Sequence, residues 1–264
     1  MNKVRTKLDS GRPVIGTFAK IPAPAVAEIV GRAGFDYVVV DLEPGFIGVE
    51  NVENMIRAIE VAGSTPFVRV SKNDPALIVQ AIEMGAMGIH VPMINTAEDA
   101  KLAVSAAKFP PLGARPMAPS CRAGQYGFSP AKDLFSMGNQ EVLLIAHIED
   151  KLAVQNLAEI ISVAGVDIIY VGPNDLSQSY GVFGQYEHEL MVKAYESVAA
   201  TTRGSKVIKG TYLRMPDESN RWRKEGYQYL AISSDIGLLT ASTRKMGEDF
   251  RKVFSVPVQF TGGD

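Results

Sequence analysis

Short runs of β-branched and apolar residues alternate with longer amphipathic stretches eight times along this chain. No other feature of the sequence constrains the fold so strongly. Strands are predicted at 14–19, 36–41, 66–70, 87–92, 142–149, 167–171, 207–211 and 229–232. Helices are predicted at 24–33, 49–62, 75–84, 96–108, 151–163, 187–203, 216–225 and 236–254. The run Asp36-Tyr37-Val38-Val39-Val40-Asp41 has no polar alternation, the mark of a strand buried on both faces. Pro75 opens one helix and Thr96 is an N-cap candidate for the next. Eight strand–helix pairs in about 250 residues imply an α/β fold closed as a single (β/α)8 barrel. A doubly wound open sheet would carry a Gly-rich first turn, and Gly11 and Gly16 do not make one.

No linker divides the chain, so residues 1–254 are expected to form one barrel domain and residues 255–264 a tail. The segment 109–130, rich in Pro, Gly and Ala, reads as irregular. With 27 Lys and Arg against 29 Asp and Glu, nothing electrostatic calls for nucleic acid or an anionic membrane. Cys121 is the only cysteine, which excludes an internal disulfide and multi-cysteine zinc and suits a reducing compartment. No apolar run reaches 18 residues and none follows the charged segment 1–10. A cytoplasmic protein without signal peptide or membrane span is the expectation.

Barrel chemistry sits where strands exit into helix-leading loops. Asp41, Glu43 and Pro44 follow the second strand, and Arg69 ends the third, with Lys72, Asn73 and Asp74 beyond it. His90 lies in the fourth strand, His147 and Glu149 in the fifth, Asp175 after the sixth, and Ser233, Ser234 and Asp235 after the eighth. Strand periodicity puts His147 and Glu149 on one face. Glu149 and Asp175, on adjacent loops, are a candidate oxygen pair for a divalent ion such as Mg²⁺. Arg69 could clamp a substrate carboxylate with its planar fork. Each residue has a structural alternative. A strand-end carboxylate also serves as a helix cap, Arg69 could pair with Asp41 or Glu43, and a lone His in an apolar run suits a core. His188, opening a charged helix, is expected to face solvent, and Cys121 has no adjacent base.

Four stretches carry a family resemblance. They are GTFAKIPAPAVAEIVGRAGFDYVVVDLE (16–43), FVRVSKNDPALIVQAIEMGAMGIHVPM (67–93), FPPLGAR (109–115) and GVDIIYVGPNDLS (165–177). Together they resemble the HpcH/HpaI aldolases, metal-dependent class II enzymes. The resemblance implies a (β/α)8 barrel whose last helix is exchanged between subunits of a homo-oligomer, a dimer or hexamer. It implies a divalent metal, Mg²⁺ in the first instance, on Glu149 and Asp175. A 2-oxo acid would chelate it, with Arg69 on the enolate oxygen and the N–H groups around Asn174 and Asp175 on the carboxylate.

The departures from that pattern are informative. The aldolases read Asp-x-Glu-His after the second strand, the His being the general base; here the stretch is Asp41-Leu42-Glu43-Pro44, and Glu83 stands at the position of the base's partner. The usual Gln-x-Glu is His147-Ile148-Glu149, and His90 replaces an aliphatic residue. A subgroup with this look is the citrate synthases of siderophore biosynthesis, which join acetyl-CoA to oxaloacetate. The lost base and added histidines suit that chemistry, with His147 donating to the acceptor carbonyl and His90 serving the enol of the acyl donor. The alternatives are a class II aldolase releasing pyruvate and a non-catalytic oxo-acid binder.

Overall fold

The computed structural model describes residues 1–44, 47–128 and 130–254, apart from the side chains of residues 131, 132 and 136. The tail 255–264 lies outside the described residues. Eight parallel strands close into one barrel in sequence order. They are β1 (Val14–Ala19), β2 (Tyr37–Asp41), β3 (Thr65–Arg69), β4 (Gly88–Val91), β5 (Leu143–Ile148), β6 (Ile168–Val171), β7 (Ile208–Leu213) and β8 (Tyr227–Ser234). All eight predicted strands are present, each within one residue of its predicted limits except at the C-terminal end of β7 and both ends of β8, which differ by two.

The helices are α1 (Lys3–Asp9), α2 (Pro24–Arg32), α3 (Val49–Val61), α4 (Pro75–Glu83), α5 (Ala97–Ala107) and α6 (Ala131–Glu141). They continue as α7 (Lys151–Gln155), α8 (Leu157–Ser162), α9 (Pro173–Ser179), α10 (Glu189–Thr201), α11 (Ser219–Lys224) and α12 (Asp235–Val253). Thr96 caps α5 in a capping box with Asp99. Three helices were not legible in the sequence. The charged segment 1–10 folds as α1, capped by the Asn2 side chain, with Val4 and Leu8 buried against the lower barrel core. Ion pairs from Arg5 to Asp167, at 2.6 Å, and from Lys7 to Asp36 pin it there. The second is α6, beyond the irregular segment. The third is α9, where Pro173 at the first position turns a predicted loop into a helix. The helix predicted over 151–163 is broken at Asn156, whose side-chain amide donates to the Asn95 carbonyl at 2.9 Å.

Strand alternation divides the apolar residues into two cores. One lies between barrel and helices and takes Val38, Val40, Val68, Ile89, Leu144 and Ile169. The other fills the barrel and takes Phe18, Tyr37, Val39, Phe67, Ile145, Tyr170 and Tyr229. The residues two positions beyond these inward positions, Asp41, Arg69 and His147, therefore also face the axis. Aromatic rings fill much of that space; Tyr37 and Tyr229 stack with centroids 4.3 Å apart.

No helix among the described residues is long and apolar enough to cross a membrane. Helix α12 does not lay its apolar residues on its own barrel. Leu239 is 56% exposed, Phe250 64% and Val253 78%. A row of large apolar side chains in water on one 19-residue helix is the signature of an interface. Light scattering at micromolar concentration is expected to give an oligomer, and Leu239→Glu with Phe250→Glu a smaller species. A wild-type monomer would refute this.

Candidate active site

The C-terminal ends of the strands surround a cavity of about 230 Å³. Arg69, His147, Glu149, Asn174 and Asp175 line it, as does Glu43. The pairing Asp41↔Arg69 across β2 and β3 sets the first contact. Arg69 Nε donates to Asp41 Oδ1 at 2.7 Å and Nη2 to Asp41 Oδ2 at 2.6 Å, while Nη1 pairs with Glu43. The bidentate edge expected to clamp substrate is thus spent on buried Asp41. A guanidinium has five N–H groups, so two remain for a ligand oxygen. Burial opposes the charge on Arg69, but the bond to Asp41 and the charges of Asp41 and Glu43 outweigh it and raise its pKa.

Glu149 is buried at the floor. Its Oε1 accepts the Met93 N–H at 2.9 Å and its Oε2 meets His147 Nδ1 at 3.0 Å. Met93 takes φ 54° to present that N–H, a left-handed conformation uncommon for a side-chain-bearing residue. Gly172 stands beside it because a Cβ there would lie 2.9 Å from Glu149 Oε2. Burial pushes the Glu149 pKa up, yet the charge and hydrogen bond of His147, the Met93 N–H and Arg69 bring it below the ordinary value.

The two barrel histidines form a chain with Glu149. His147 Nε2 lies 2.9 Å from His90 Nδ1, and His90 Nε2 lies 2.8 Å from the Tyr229 hydroxyl. Burial, then His147 and Arg69, depress the His90 pKa well below its ordinary value, so His90 is neutral. Two proton arrangements then pair every atom. In one, Tyr229 O–H donates to His90, His90 Nδ1–H to His147 and His147 Nδ1–H to Glu149. In the other, His147 carries one more proton and donates at both nitrogens, and His90 donates to Tyr229. This corrects two expectations. His90 is completely buried and does not line the cavity, so it cannot touch an acyl donor. His147 lines the cavity, but both its nitrogens are held by protein, so it has no free N–H for an acceptor carbonyl.

Asp175 sits in the first turn of α9, and burial followed by the charge of Glu149 raises its pKa. The pKa of Glu43 is raised as well, by burial first, with Arg69 opposing and Glu149 adding. Asn174 faces the cavity and accepts from the Tyr186 hydroxyl at 2.6 Å. Ser233 and Ser234 line the rim, whereas Asp74 only caps α4 and pairs with Lys72. His188, half-buried, caps α10 by accepting the Leu190 N–H. Asp235 is drawn into the rim: its carboxylate accepts the backbone N–H groups of Lys20 at 2.9 Å and Ile21 at 2.8 Å.

Two cavity residues had escaped notice. Lys20 directly follows β1 and lies 3.5 Å from Asp41 Oδ2. A cation at a strand's C-terminal end was the available signal. Tyr170, inside the apolar run of β6, has a buried hydroxyl without a partner among the described residues. Nothing in a buried aromatic's sequence context marks such an atom.

The donor set fits a divalent ion. Histidines aside, the site holds two cations, Lys20 and Arg69, against four carboxylates, Asp41, Glu43, Glu149 and Asp175. Burial is the main cause of the raised pKa values of Glu43 and Asp175, and the nearby charge of Glu149 adds to both. Among the described residues no group of three or more His, Cys, Asp or Glu gathers as a full ligand cage. Two carboxylates beside an open cavity suit an ion that keeps waters and takes substrate oxygens, as Mg²⁺ does.

Residues 14–242 match the HpcH/HpaI aldolase/citrate lyase family. The chain belongs to that family. It is 31% identical over 251 residues to the 5-keto-4-deoxy-D-glucarate aldolase of Salmonella paratyphi C, covering 95% of this chain and 97% of the relative. A crystal structure of an HpcH/HpaI aldolase/citrate lyase family protein from Burkholderia cenocepacia superposes with a TM-score of 0.88 at 30% identity, covering 95% of this chain and all of the other. The citrate synthase SbnG gives 0.88 at 27% identity, covering 97% and 100%. This family member is an enzyme of the carbon–carbon lyase or citrate synthase kind.

Because His90 acts only through other residues, His90→Ala is expected to lower stability before it lowers chemistry. It strands His147 Nε2 and the Tyr229 hydroxyl, at about 1–3 kcal/mol for each buried group left unpaired. Circular dichroism melts beside kinetics test this; a wild-type melting temperature with lost turnover would reverse the assignment.

Proposed function

We propose that this enzyme makes or breaks a carbon–carbon bond next to a 2-oxo acid, with oxaloacetate as acceptor and acetyl-CoA as donor the leading pair. The observation that carries the reading is the pairing of cations Lys20 and Arg69 in one small cavity with Glu149 and Asp175. With Arg69 turned to the keto oxygen, Lys20 is left as a cation for the second carboxylate that oxaloacetate has and pyruvate lacks. Pro44 adds support, because it takes away the imidazole that the resemblance assigns to aldol chemistry. The siderophore context of the citrate synthase reading belongs to the same proposal.

Glu149 and Asp175 would hold the divalent ion, whose part is to polarise the keto oxygen of the oxo acid. Arg69, anchored by Asp41, turns its remaining N–H groups to the oxygen that gains charge. Tyr170, whose hydroxyl has no partner among the described residues, would donate to the same oxygen. His147 holds Glu149 ionised and in one rotamer. Glu43 is the cavity carboxylate adjacent to Pro44, and its raised pKa suits a base that removes the donor's proton. A carboxylate works as base only when ionised, so activity should rise with pH through the raised pKa of Glu43 and level off above it.

A pyruvate-releasing aldolase is the second reading, favoured by the 31% identity to an enzyme named as an aldolase. Oxaloacetate-dependent release of CoA thiol from acetyl-CoA supports the first reading. Pyruvate release from a 4-hydroxy-2-oxo acid without thiol release would replace it by the second. Glu43→Gln is expected to lower kcat by about 10²–10⁴. Arg69→Lys, which cannot span both oxygens of Asp41, should lose about 2–4 kcal/mol of transition-state stabilisation. Near wild-type kcat/KM in Arg69→Lys would remove Arg69 from the mechanism. Unchanged oxo-acid affinity by calorimetry in Glu149→Ala, or with chelator present, would remove the metal.

A further inference from the structure

A buried charge with no counter-ion among the described residues lies at the opposite end of the barrel from the active site. A cavity of about 470 Å³ opens beside Met87 and Val142, the residues that lead into β4 and β5. Arg115 lines it and is 7% exposed. Among the described residues its Nε is buried without a hydrogen-bond partner, and no carboxylate forms an ion pair with its guanidinium. Glu83 and Cys121 are close enough to act on it electrostatically but do not bond to it. The guanidinium instead lies over the Phe109 ring, 4.6 Å from its centroid.

The segment is held in place rather than loosely draped. The Arg115 N–H donates to the Lys108 carbonyl at 3.0 Å and the Ala114 N–H to the Ser105 carbonyl at 2.8 Å. Gly138 on α6 leaves the Phe109 ring in its seat, since a Cβ there would come within 2.6 Å of that ring and 3.7 Å of Arg115 Nη1. The other charged groups of the cavity are already engaged. Arg122 pairs with Glu60, and Glu141 accepts the Asn2 N–H and lies 3.9 Å from the Met1 amino group. Among the described residues the surplus is a single positive charge on Arg115. Taking an ion from water without a counter-ion is costly, and the cost is recovered when an anion meets the planar fork. The remaining lining is largely apolar, with Ile82, Ala86, Leu134 and Met137 among it.

We propose that this cavity is a binding site for a small organic anion, its carboxylate or phosphate on Arg115 and its apolar body against the α4 and α6 side. Its volume is within the usual range for small-molecule pockets. It lies away from the catalytic cavity, so occupancy is independent of the reaction proposed above.

The probes are hexanoate, phenyl phosphate and inorganic phosphate, titrated against the full-length protein by calorimetry and thermal melting. Saturable binding with a rise in melting temperature is expected for at least one of the two organic anions. Hexanoate binding alone marks a carboxylate ligand, and phenyl phosphate binding alone a phosphate. Arg115→Met should weaken binding at least tenfold and, without anion, melt no lower than wild type because it removes an uncompensated charge. Ala118→Trp, which fills the cavity and leaves Arg115 in place, should weaken binding as strongly. Turnover at the other end of the barrel should be unchanged in both variants. No saturable binding of either organic anion, or binding retained in both variants, overturns the proposal. So does a change of oligomeric mass in Arg115→Met, which would make a neighbouring chain's carboxylate the partner of Arg115.

Discussion

Closure of eight parallel strands buries both faces of every strand, and strand alternation then assigns each side chain to one of two interiors. Everything at the catalytic end follows from that assignment. Asp41 and Arg69 are directly paired in register across β2 and β3, so the carboxylate and guanidinium meet without any loop to position them. His147 and Tyr170 are paired across β5 and β6 in the same way. A one-residue slip in any of these pairings would carry the polar group to the outer, apolar interior, where nothing could satisfy it.

The polar groups so gathered form two connected sets. Arg69 is locked by Asp41 and Glu43 on one wall, and Glu149 is locked by His147 and the Met93 N–H on the other. Below them His90 and Tyr229 continue the hydrogen bonding into the aromatic floor, where Tyr37 donates to the Leu230 carbonyl at 2.7 Å. Removing His147 would therefore strand Glu149 and His90 together. The excess of carboxylates over Lys20 and Arg69 is concentrated around the open cavity.

The last helix is tied to the same cavity. Asp235, its first residue, is buried and holds the loop after β1 through the Lys20 and Ile21 N–H groups. Ser233 adopts φ 58° at the junction and lines the rim. An oligomer that grips the exposed apolar face of α12 would thus bear on the position of Lys20 at the cavity.

Period and punctuation in the sequence were enough to determine the barrel, its strand order and the strand ends at which Arg69, Glu149 and Asp175 would stand, because each depends on local pattern alone. Pro44 was legible as a departure from the resemblance's base position for the same reason: a proline cannot take up a proton, whatever surrounds it. What local pattern could not supply was which partners the side chains would choose. Arg69 faced Asp41, Glu43 or a substrate on equal terms until the register of β2 and β3 put Asp41 on its fork. His90 and His147, 57 residues apart, bonded to each other only because β4 and β5 are neighbours. Helix α1 carries too few apolar residues to stand out, and it folds because Val4 and Leu8 close the lower end of a barrel made elsewhere. Hydrogen bonds and ion pairs between distant residues depend on distances that exist only once the barrel has closed, so tertiary structure alone decided them.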